Sequence, residues 1–398
     1  MFYNIISKNV NKWINSDECK IKELLKYIEN KDELRDTQLE ALKTYLFLKI
    51  KCKNKPLAAI FSGGYLESDL NIDSLEVSND FRNYLKNNNA AKTLYEIAIN
   101  EDNNMFSNLK DEIKKNYKNI NFERVFNNIF YNIAYTDYIF SLPMGAGKTY
   151  LMAMFIYLDL YFAITEPENK AFAHNFIVLA PSGLKSSIVP SLKTIRDFDV
   201  SWIIPEPAAT NLKKIIKFEI LDANKTSNKS NKTKNPNVNK IANYQPFEDL
   251  KGLILITNAE KVILNRIKLE KNKQINWFDN SDDEEDKLAN ELRNLIGKIP
   301  NLSIFIDEVH HAADDDIKLR QVVKKWNEDS SINSVIGFSG TPYLESNEPI
   351  KVSDTFEFKT KTITSVVYYY ALIRGINNFL KKPEVKSIDD YSLKIVPK

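Results

Sequence analysis

The sequence predicts an α/β protein in which a mainly parallel central sheet, flanked by helices, follows a mostly helical amino-terminal region. Two patterns support this prediction. Between residues 18 and 128 apolar side chains recur at three- and four-residue steps, which is typical of helices. Further along, short runs that are apolar throughout alternate with helical stretches, and such runs indicate parallel strands covered on both faces. We therefore expect a helical region over 1–135, an α/β domain over 136–350 and a connecting segment over 351–398.

Composition sets the broad class of protein. The chain has 398 residues, 43% of them hydrophobic, so it can bury a substantial core. Its 55 Lys and Arg balance 53 Asp and Glu to a formal charge of +2, so bulk charge indicates neither a nucleic-acid nor a membrane partner. Two cysteines, Cys19 and Cys52, are too few for a disulfide framework. With no signal-peptide pattern at the start, and an apolar run over 151–164 that is too short for a membrane span, we expect a cytoplasmic protein.

The elements can be assigned in order along the chain. In the first region, helices are expected at KELLKYIEN, TQLEALKTYLFLKI and AAKTLYEIAIN, with a turn at Ser62-Gly63-Gly64. Strands are expected at 138–142, 175–180, 200–204, 217–221, 253–257, 303–306 and 334–338. Two polar segments, at about 224–240 and 279–286, are predicted to be inserts of the α/β domain. For both, a solvated surface is favoured over a specific contact.

The strongest chemical signal lies between the first strand and a helix expected over Tyr150–Tyr161. Glycines at 145 and 147 allow backbone N–H groups to approach phosphate oxygens, and a helix N-terminus adds a favourable dipole. Lys148 would reach the β- and γ-phosphates, and Thr149 would offer its hydroxyl to Mg²⁺. A strict GxxxxGK[ST] search misses the segment, because Leu142 stands in place of the first glycine. The segment predicts a nucleoside triphosphate site, for ATP with Mg²⁺, made of Pro143, Met144, Gly145, Ala146, Gly147, Lys148 and Thr149.

The second motif is an acidic pair that directly follows the strand expected at 303–306. Asp307 stands at the carboxyl end of this apolar strand, where it can hold Mg²⁺ through water. The adjacent Glu308 can orient or deprotonate the attacking water. An acidic pair alone is a weak signal. Preceded by an apolar strand and placed downstream of a phosphate loop, the pair favours hydrolysis over mere binding.

Several strings together resemble the ordered motifs of superfamily 2 helicases and translocases, over the first of their two RecA-like lobes. The strings are PMGAGKT at 143–149, DEVH at 307–310, SGTP at 339–342, RDTQ at 35–38, IVLAPS at 177–182 and LITN at 255–258. Within the superfamily, the pattern is most similar to the res subunits of type III restriction-modification systems and to related DEAD/DEAH defence proteins. The resemblance implies a RecA-like P-loop NTPase lobe that hydrolyses ATP.

The resemblance also implies roles for residues outside the phosphate loop. Gln38 would hydrogen-bond the adenine edge and Arg35 would support that pocket, although a solvated helix position explains Gln38 equally well. The family often has an aromatic residue before this glutamine, where this chain has Thr37, so the stacking of adenine is left open. His310 would link the ATP site to the coupling residues, and its alternative is a strand-end residue without chemistry. The coupling residues are Ser339, Gly340 and Thr341.

A nucleic-acid contact is expected at the ends of two strands. Hydroxyls, backbone N–H groups and a lysine at a helix start suit a phosphate contact that carries no sequence information, although they also suit an ordinary helix cap. The expected contact residues are Pro181, Ser182, Gly183, Lys185, Thr257 and Asn258. The resemblance favours DNA as the partner and leaves RNA open.

A superfamily 2 motor needs a second lobe that supplies an arginine to the γ-phosphate. After Thr341 no string resembles such a lobe, Arg374 is the only arginine, and the stretch from Val366 resembles the connector to it. We therefore expect a weakly active half-motor in a restriction or other anti-phage system, with the second lobe in cis in a longer protein or in trans. A methyltransferase or specificity subunit is a further expected partner. The alternatives are a nucleotide-binding regulatory or interaction module and an inactive remnant.

Overall fold

The computed structural model describes residues 2–100, 104–180, 185–221, 236–259, 262, 291–309, 314–330, 332–353 and 356–378. Helices fill the first part of the chain, as expected from its three- and four-residue periodicity. They are α1 (Phe2–Asn15), α2 (Lys22–Lys31), α3 (Asp36–Ile50), α4 (Leu57–Ser62), α5 (Asn79–Asn87), α6 (Asn89–Asn100), α7 (Asn104–Asn116) and α8 (Phe122–Ile129). On α1, for example, Ile6, Val10 and Trp13 lie on one face and are buried.

In the described part of the chain a seven-stranded sheet follows, and all of its neighbouring strands run parallel. Its strands are β1 (Asp137–Ser141), β2 (Asn175–Ala180), β3 (Lys217–Ile220), β4 (Leu253–Asn258), β5 (Leu302–Ile306), β6 (Ser334–Ser339) and β9 (Val366–Tyr369). The strand order is β3-β4-β2-β5-β6-β1-β9. A separate antiparallel hairpin consists of β7 (Tyr343–Lys351) and β8 (Glu357–Thr362). The sheet with its helices confirms the predicted α/β fold.

Helices connect and cover the strands. They are α9 (Lys148–Thr165), α10 (Lys185–Asp197), α11 (Ala208–Ile215), α12 (Pro236–Ala242), α13 (Asp314–Ser330) and α14 (Leu372–Asn378). Helix α9 is apolar on nearly all faces because it packs both on the sheet and on the amino-terminal helices. Phe155 stacks on Tyr45 of α3, with ring centroids 3.9 Å apart, and lies 5.0 Å from Phe140 of β1. No helix in the described part of the chain is long and apolar enough to span a membrane.

One charged pair lies between α3 and α9. Lys49 Nζ is 3.0 Å from Asp159 Oδ2, and both side chains are fully buried. The second oxygen of Asp159 accepts a hydrogen bond from the Tyr45 hydroxyl at 2.8 Å. Lys49 also donates to Asn333 Oδ1 at 2.7 Å, next to the start of β6. This network joins the amino-terminal helices to the sheet. The two regions also share one hydrophobic core.

One expectation about strands is wrong, and one strand was not predicted. The segment predicted as a strand over 200–204 contains a 3₁₀ helix, Val200–Trp202, because the Asp199 side chain accepts a hydrogen bond from Ser201 N and starts a helical turn there. The unpredicted strand is β9, with which the stretch from Val366 begins; that this stretch is a connector stays a prediction. This four-residue strand joins the sheet by pairing with β1. The pairing is a long-range contact, so it cannot be predicted from the four residues alone.

Candidate nucleotide-binding site

The three central motifs meet at the carboxyl edge of the sheet. Ser141 at the end of β1 lies opposite Ser339 of β6, and Ile306 at the end of β5 lies opposite Gly337 of β6. Leu142 N donates to Ser339 O at 2.9 Å, so the phosphate loop leaves the sheet beside the SGT string. In open parallel sheets this edge is where ligands bind. The sequence predicts this convergence.

The loop from Pro143 to Thr149 has the backbone of a phosphate cradle. Gly145 and Gly147 have φ of 80° and 86°, a left-handed conformation that favours glycine. At Gly147 a Cβ would also lie 2.4 Å from Gln38 Nε2, so a side chain there would collide with α3. Helix α9 begins at Lys148, two residues earlier than expected, and its first-turn N–H groups face the same edge.

Lys148 and Glu308 form an ion pair across this edge. Lys148 Nζ lies 2.5 Å from Glu308 Oε1, and the two side chains are 10% and 32% exposed. Glu308 has φ of 60°, an uncommon left-handed conformation for a residue with a side chain. Residues held in such conformations cluster at functional sites. The pair joins the two predicted catalytic motifs in one contact.

Asp307 lies beside this pair and has an unsatisfied oxygen. Its Oδ1 atom is buried and has no hydrogen-bond partner among the described residues, while its backbone N–H donates to Leu179 O at 3.0 Å. Burial raises the pKa of Asp307; the charge of Lys148 opposes the shift and that of Glu308 adds to it. A buried acceptor without a partner is costly unless water or a cation satisfies it.

These groups fit a hydrated Mg²⁺ ion. Mg²⁺ at triphosphate sites keeps several waters and binds through one or two protein oxygens plus substrate phosphates. Asp307 Oδ1 and the Thr149 hydroxyl, on the first turn of α9, would hold it in that manner. The described residues contain no cluster of three or more His, Cys, Asp or Glu that could cage a metal, so any Mg²⁺ would depend on phosphate and water for its remaining ligands.

Arg35 and Gln38 lie against the loop, although 110 residues separate them from it in sequence. Arg35 Nη1 donates to Gly145 O at 2.8 Å. Gln38 Oε1 accepts a hydrogen bond from Arg35 N at 3.1 Å, which caps α3 and orients the amide toward Gly147. The position of Gln38 therefore differs from that of a solvated helix residue, the alternative that the sequence leaves open.

The SGT string is also preorganised. Ser339 Oγ donates to Thr341 O at 2.8 Å and accepts from Thr341 N at 3.3 Å, which forms a tight turn after β6. Gly340 and Thr341 are exposed at the sheet edge. His310, which was expected to link this turn to the ATP site, lies outside the described residues.

The expected nucleic-acid residues are placed less favourably. Asn258 ends β4 opposite Ala180 of β2, so the two strand ends are adjacent as expected. Thr257 and Asn258 are both buried, however, and Thr257 Oγ1 donates to Leu221 O at 3.2 Å. Lys185 begins α10, whereas Pro181, Ser182 and Gly183 lie outside the described residues. A contact through these residues stays a prediction.

Tyr150 lies next to the loop, and no role was predicted for it from the sequence. It follows Thr149 on the first turn of α9 and is 43% exposed. Its ring is parallel to that of Trp202 within 5°, with centroids 6.3 Å apart, and it lies 6.3 Å from the Phe198 ring. The position directly after the GKT string is the only sequence signal that could have indicated it.

A parallel sheet with a glycine-rich loop between β1 and α9, and an acidic pair after β5, defines a P-loop nucleotide-binding lobe of the RecA-like kind. The model of the family described as type III restriction enzyme, res subunit, matches residues 109–344. Because this match covers more than half of the chain, the protein belongs to that family, whose domain is a helicase superfamily 2 RecA-like domain. The resemblance read from the motifs is thereby confirmed. No curated protein and no solved structure matches the chain.

Proposed function

We propose that the chain is the ATP-binding and ATP-hydrolysing lobe of a nucleic-acid-dependent helicase or translocase. The direct contact between Lys148 and Glu308, beside the unsatisfied oxygen of Asp307, supports this proposal most strongly. A lysine for phosphate, a carboxylate for Mg²⁺ and a second carboxylate for water are the parts that hydrolysis of a triphosphate needs. Here all three lie at one edge of the sheet.

ATP binding would rearrange the ion pair. The β- and γ-phosphates carry more charge than Glu308 and would take Lys148 as their partner. Glu308, released from the lysine, would then orient and deprotonate the attacking water. Mg²⁺, held by Thr149 and Asp307, would neutralise charge that develops on the phosphates.

The remaining residues would position the nucleotide and couple its hydrolysis to movement. Backbone N–H groups from Pro143 to Thr149 would surround the phosphates, and Gln38 with Arg35 would face the base. The turn from Ser339 to Thr341, in which Gly340 and Thr341 are exposed, would pass the state of the site to a second lobe, supplied in cis or in trans. That lobe would contribute the arginine that accelerates phosphoryl transfer by roughly 10³- to 10⁵-fold in related systems, so this chain alone would turn over ATP slowly.

We further propose DNA as the nucleic acid and a type III restriction-like or other phage-defence system, in the cytoplasm, as the setting. Family membership supports this setting. A methyltransferase or specificity subunit would then be the natural partner, because type III systems modify the sequence that they restrict.

The test is ATP turnover by the purified chain alone, with single-stranded DNA, with double-stranded DNA and with RNA. We expect slow turnover that DNA stimulates, and loss of turnover in Glu308→Gln with ATP binding retained. Turnover that persists in Glu308→Gln would refute the assigned role of this residue.

One observation favours a second candidate function. The burial of Thr257 and Asn258 leaves the predicted nucleic-acid track without exposed side chains at the end of β4. A nucleotide-binding regulatory module would need no such track. In that case ATP would bind the chain normally, and neither DNA nor RNA would bind it or change its turnover.

A further inference from the structure

We propose that Tyr150 is the residue on which the nucleobase stacks, beside the Gln38 amide that the motif resemblance assigns to the adenine edge. This inference rests on the proposed function, because it concerns the base of the nucleotide whose phosphates the loop would hold. It also answers a question that the sequence leaves open, namely which aromatic side chain meets the base.

Both side chains border the same backbone position. A Cβ placed on Gly147 would lie 2.4 Å from Gln38 Nε2 and 3.9 Å from Tyr150 Cβ. The amide and the aromatic residue therefore flank the last glycine of the loop, directly before the lysine expected to hold the phosphates. A nucleotide whose phosphates occupy the loop would extend its ribose and base from this point.

The tyrosine ring is both accessible and fixed. Tyr150 is one of the few large apolar side chains that are exposed in the described part of the chain, at 43%. Phe198, which is buried, and Trp202 pack against it and restrict its rotation. A ring that is already held in place loses little conformational entropy when a base stacks on it.

The 3₁₀ turn that packs against the Tyr150 ring is held in place by hydrogen bonds. Tyr27 of α2 donates a hydrogen bond to Ser201 O at 2.7 Å, and Asp199 accepts one from Ser201 N at 3.0 Å. These bonds fix the 3₁₀ turn that carries Trp202. The segment predicted as a strand over 200–204 thus supports the aromatic ring next to the phosphate loop.

Gln38 supplies the edge contact that distinguishes bases. Its Oε1 atom accepts from Arg35 N and keeps one lone pair, while its Nε2 amide group has no hydrogen-bond partner within the described residues. An acceptor beside a donor matches the N6 amino group and N7 of adenine, whereas guanine presents two acceptors, O6 and N7. The cap on α3 holds the amide in the orientation that fits adenine.

Thr37 is excluded as the stacking position. It is fully buried, and its hydroxyl lies 3.3 Å from the Tyr368 hydroxyl, so it faces the core. Among the residues described around the loop, Tyr150 is the aromatic side chain that is exposed and that borders the same glycine as Gln38.

The experiment compares a ligand that has a base with one that has none. Binding of ATP, GTP and inorganic tripolyphosphate, each with Mg²⁺, is measured calorimetrically for the wild-type chain and for variants. Base–aromatic stacking is strong enough that Tyr150→Ala should weaken ATP binding about 10- to 100-fold while tripolyphosphate binding stays within about twofold. Tyr150→Phe, which keeps the ring, should bind ATP like the wild type. Gln38→Ala should reduce the preference for ATP over GTP.

Two controls separate failure of this proposal from failure of the proposed function. Lys148→Ala should weaken ATP and tripolyphosphate alike, whereas Ile164→Ala, which removes an exposed apolar side chain from the far end of α9, should weaken neither. If Tyr150→Ala leaves ATP binding unchanged, or weakens both ligands equally, Tyr150 does not stack on the base. If the wild-type chain binds neither ATP nor tripolyphosphate, the proposed function and this inference both fail.

Discussion

Two lysine–carboxylate pairs, at different places in the molecule, have the same chemistry and opposite surroundings. Lys49 and Asp159 are fully buried, and Asp159 accepts further hydrogen bonds from the Tyr45 hydroxyl and from Ala173 N. Lys148 and Glu308 are partly exposed, and they lie next to an Asp307 carboxylate oxygen that has no partner in the described part of the chain. The first pair is saturated with hydrogen bonds, whereas the second has capacity left for a ligand.

The difference shows that the surroundings of an ion pair indicate its role better than the distance between its charged atoms does. Burial lowers the pKa of Lys49 and raises that of Asp159, and their mutual attraction opposes both shifts. Removing one partner would leave a charge in the core that nothing compensates. At the loop, by contrast, separation of Lys148 from Glu308 is the step that ATP binding would require.

The largest expected effect on stability follows from breaking the buried pair. Lys49→Ala should lower the free energy of unfolding by about 3–5 kcal/mol, because Asp159 would lose its cation in the core. Urea unfolding, followed by circular dichroism, measures this value. The double variant Lys49→Met with Asp159→Leu should recover most of the loss. A single variant within about 1 kcal/mol of the wild type would show that the pair does not hold the helices to the sheet.

The second effect concerns the partly exposed pair of Lys148 and Glu308. Lys148→Ala should lower the rate of ATP turnover about 10²- to 10³-fold, because it removes a charge aimed at the phosphates. Its free energy of unfolding should change by less than about 1 kcal/mol, since partly exposed ion pairs contribute little. Phosphate release and urea unfolding measure the two values. A large loss of stability without loss of turnover would reverse the roles assigned to the two pairs.

The third effect tests whether the hydrogen bond from Tyr45 to the buried pair stabilises the protein. Tyr45→Phe removes the hydrogen bond to Asp159 and keeps the ring that stacks on Phe155, so it should cost about 1.5–3 kcal/mol. Tyr138→Phe is a matched control, because its hydroxyl donates to a neutral acceptor, Lys55 O. The control should cost only about 0.5–1.5 kcal/mol. Equal costs would mean that the charge of Asp159 adds nothing to the bond.

The smallest effect is a dependence of stability on pH. Because the pKa of Asp307 is raised in the folded protein, the native state holds this proton more tightly than the unfolded state does. The contribution of Asp307 to stability is therefore present below the unfolded pKa, near 3.8, and is lost as pH rises through the folded pKa. Without Mg²⁺, Asp307→Asn should be more stable than the wild type at pH 7, and the gap should shrink toward pH 4. A variant that is less stable at pH 7 would indicate that the carboxylate is satisfied within the protein.

The sequence predicts the parts of the fold and site that depend on local patterns. The phosphate loop from Gly145 to Thr149 and the strand that leads to Asp307 are continuous segments. Their conformation depends on the residues of the segment itself. The burial of α9 follows in the same way from its uniform apolar character.

What could not be predicted depends on partners far away in sequence. Lys49 and Asp159 are 110 residues apart, and neither helix has a local signal for an internal ion pair. The 3₁₀ turn at Val200 has the apolar character of a strand, but the Asp199 side chain decides its conformation. The Asp307 Oδ1 atom, which lacks a partner among the residues described, and the position of Tyr150 and Gln38 beside Gly147 arise only once the sheet and α3 are assembled.

Strand β9 has a practical consequence for work with shorter forms of the protein. It forms the edge of the sheet beside β1, the strand that leads into the phosphate loop, and Tyr370 N donates to Ser141 O at 3.0 Å. Cutting the chain at residue 344, where the family match ends, would turn β1 into an open edge to which other chains can add strands, a frequent cause of aggregation. A truncated form intended for crystallisation or assay should therefore keep residues 366–370.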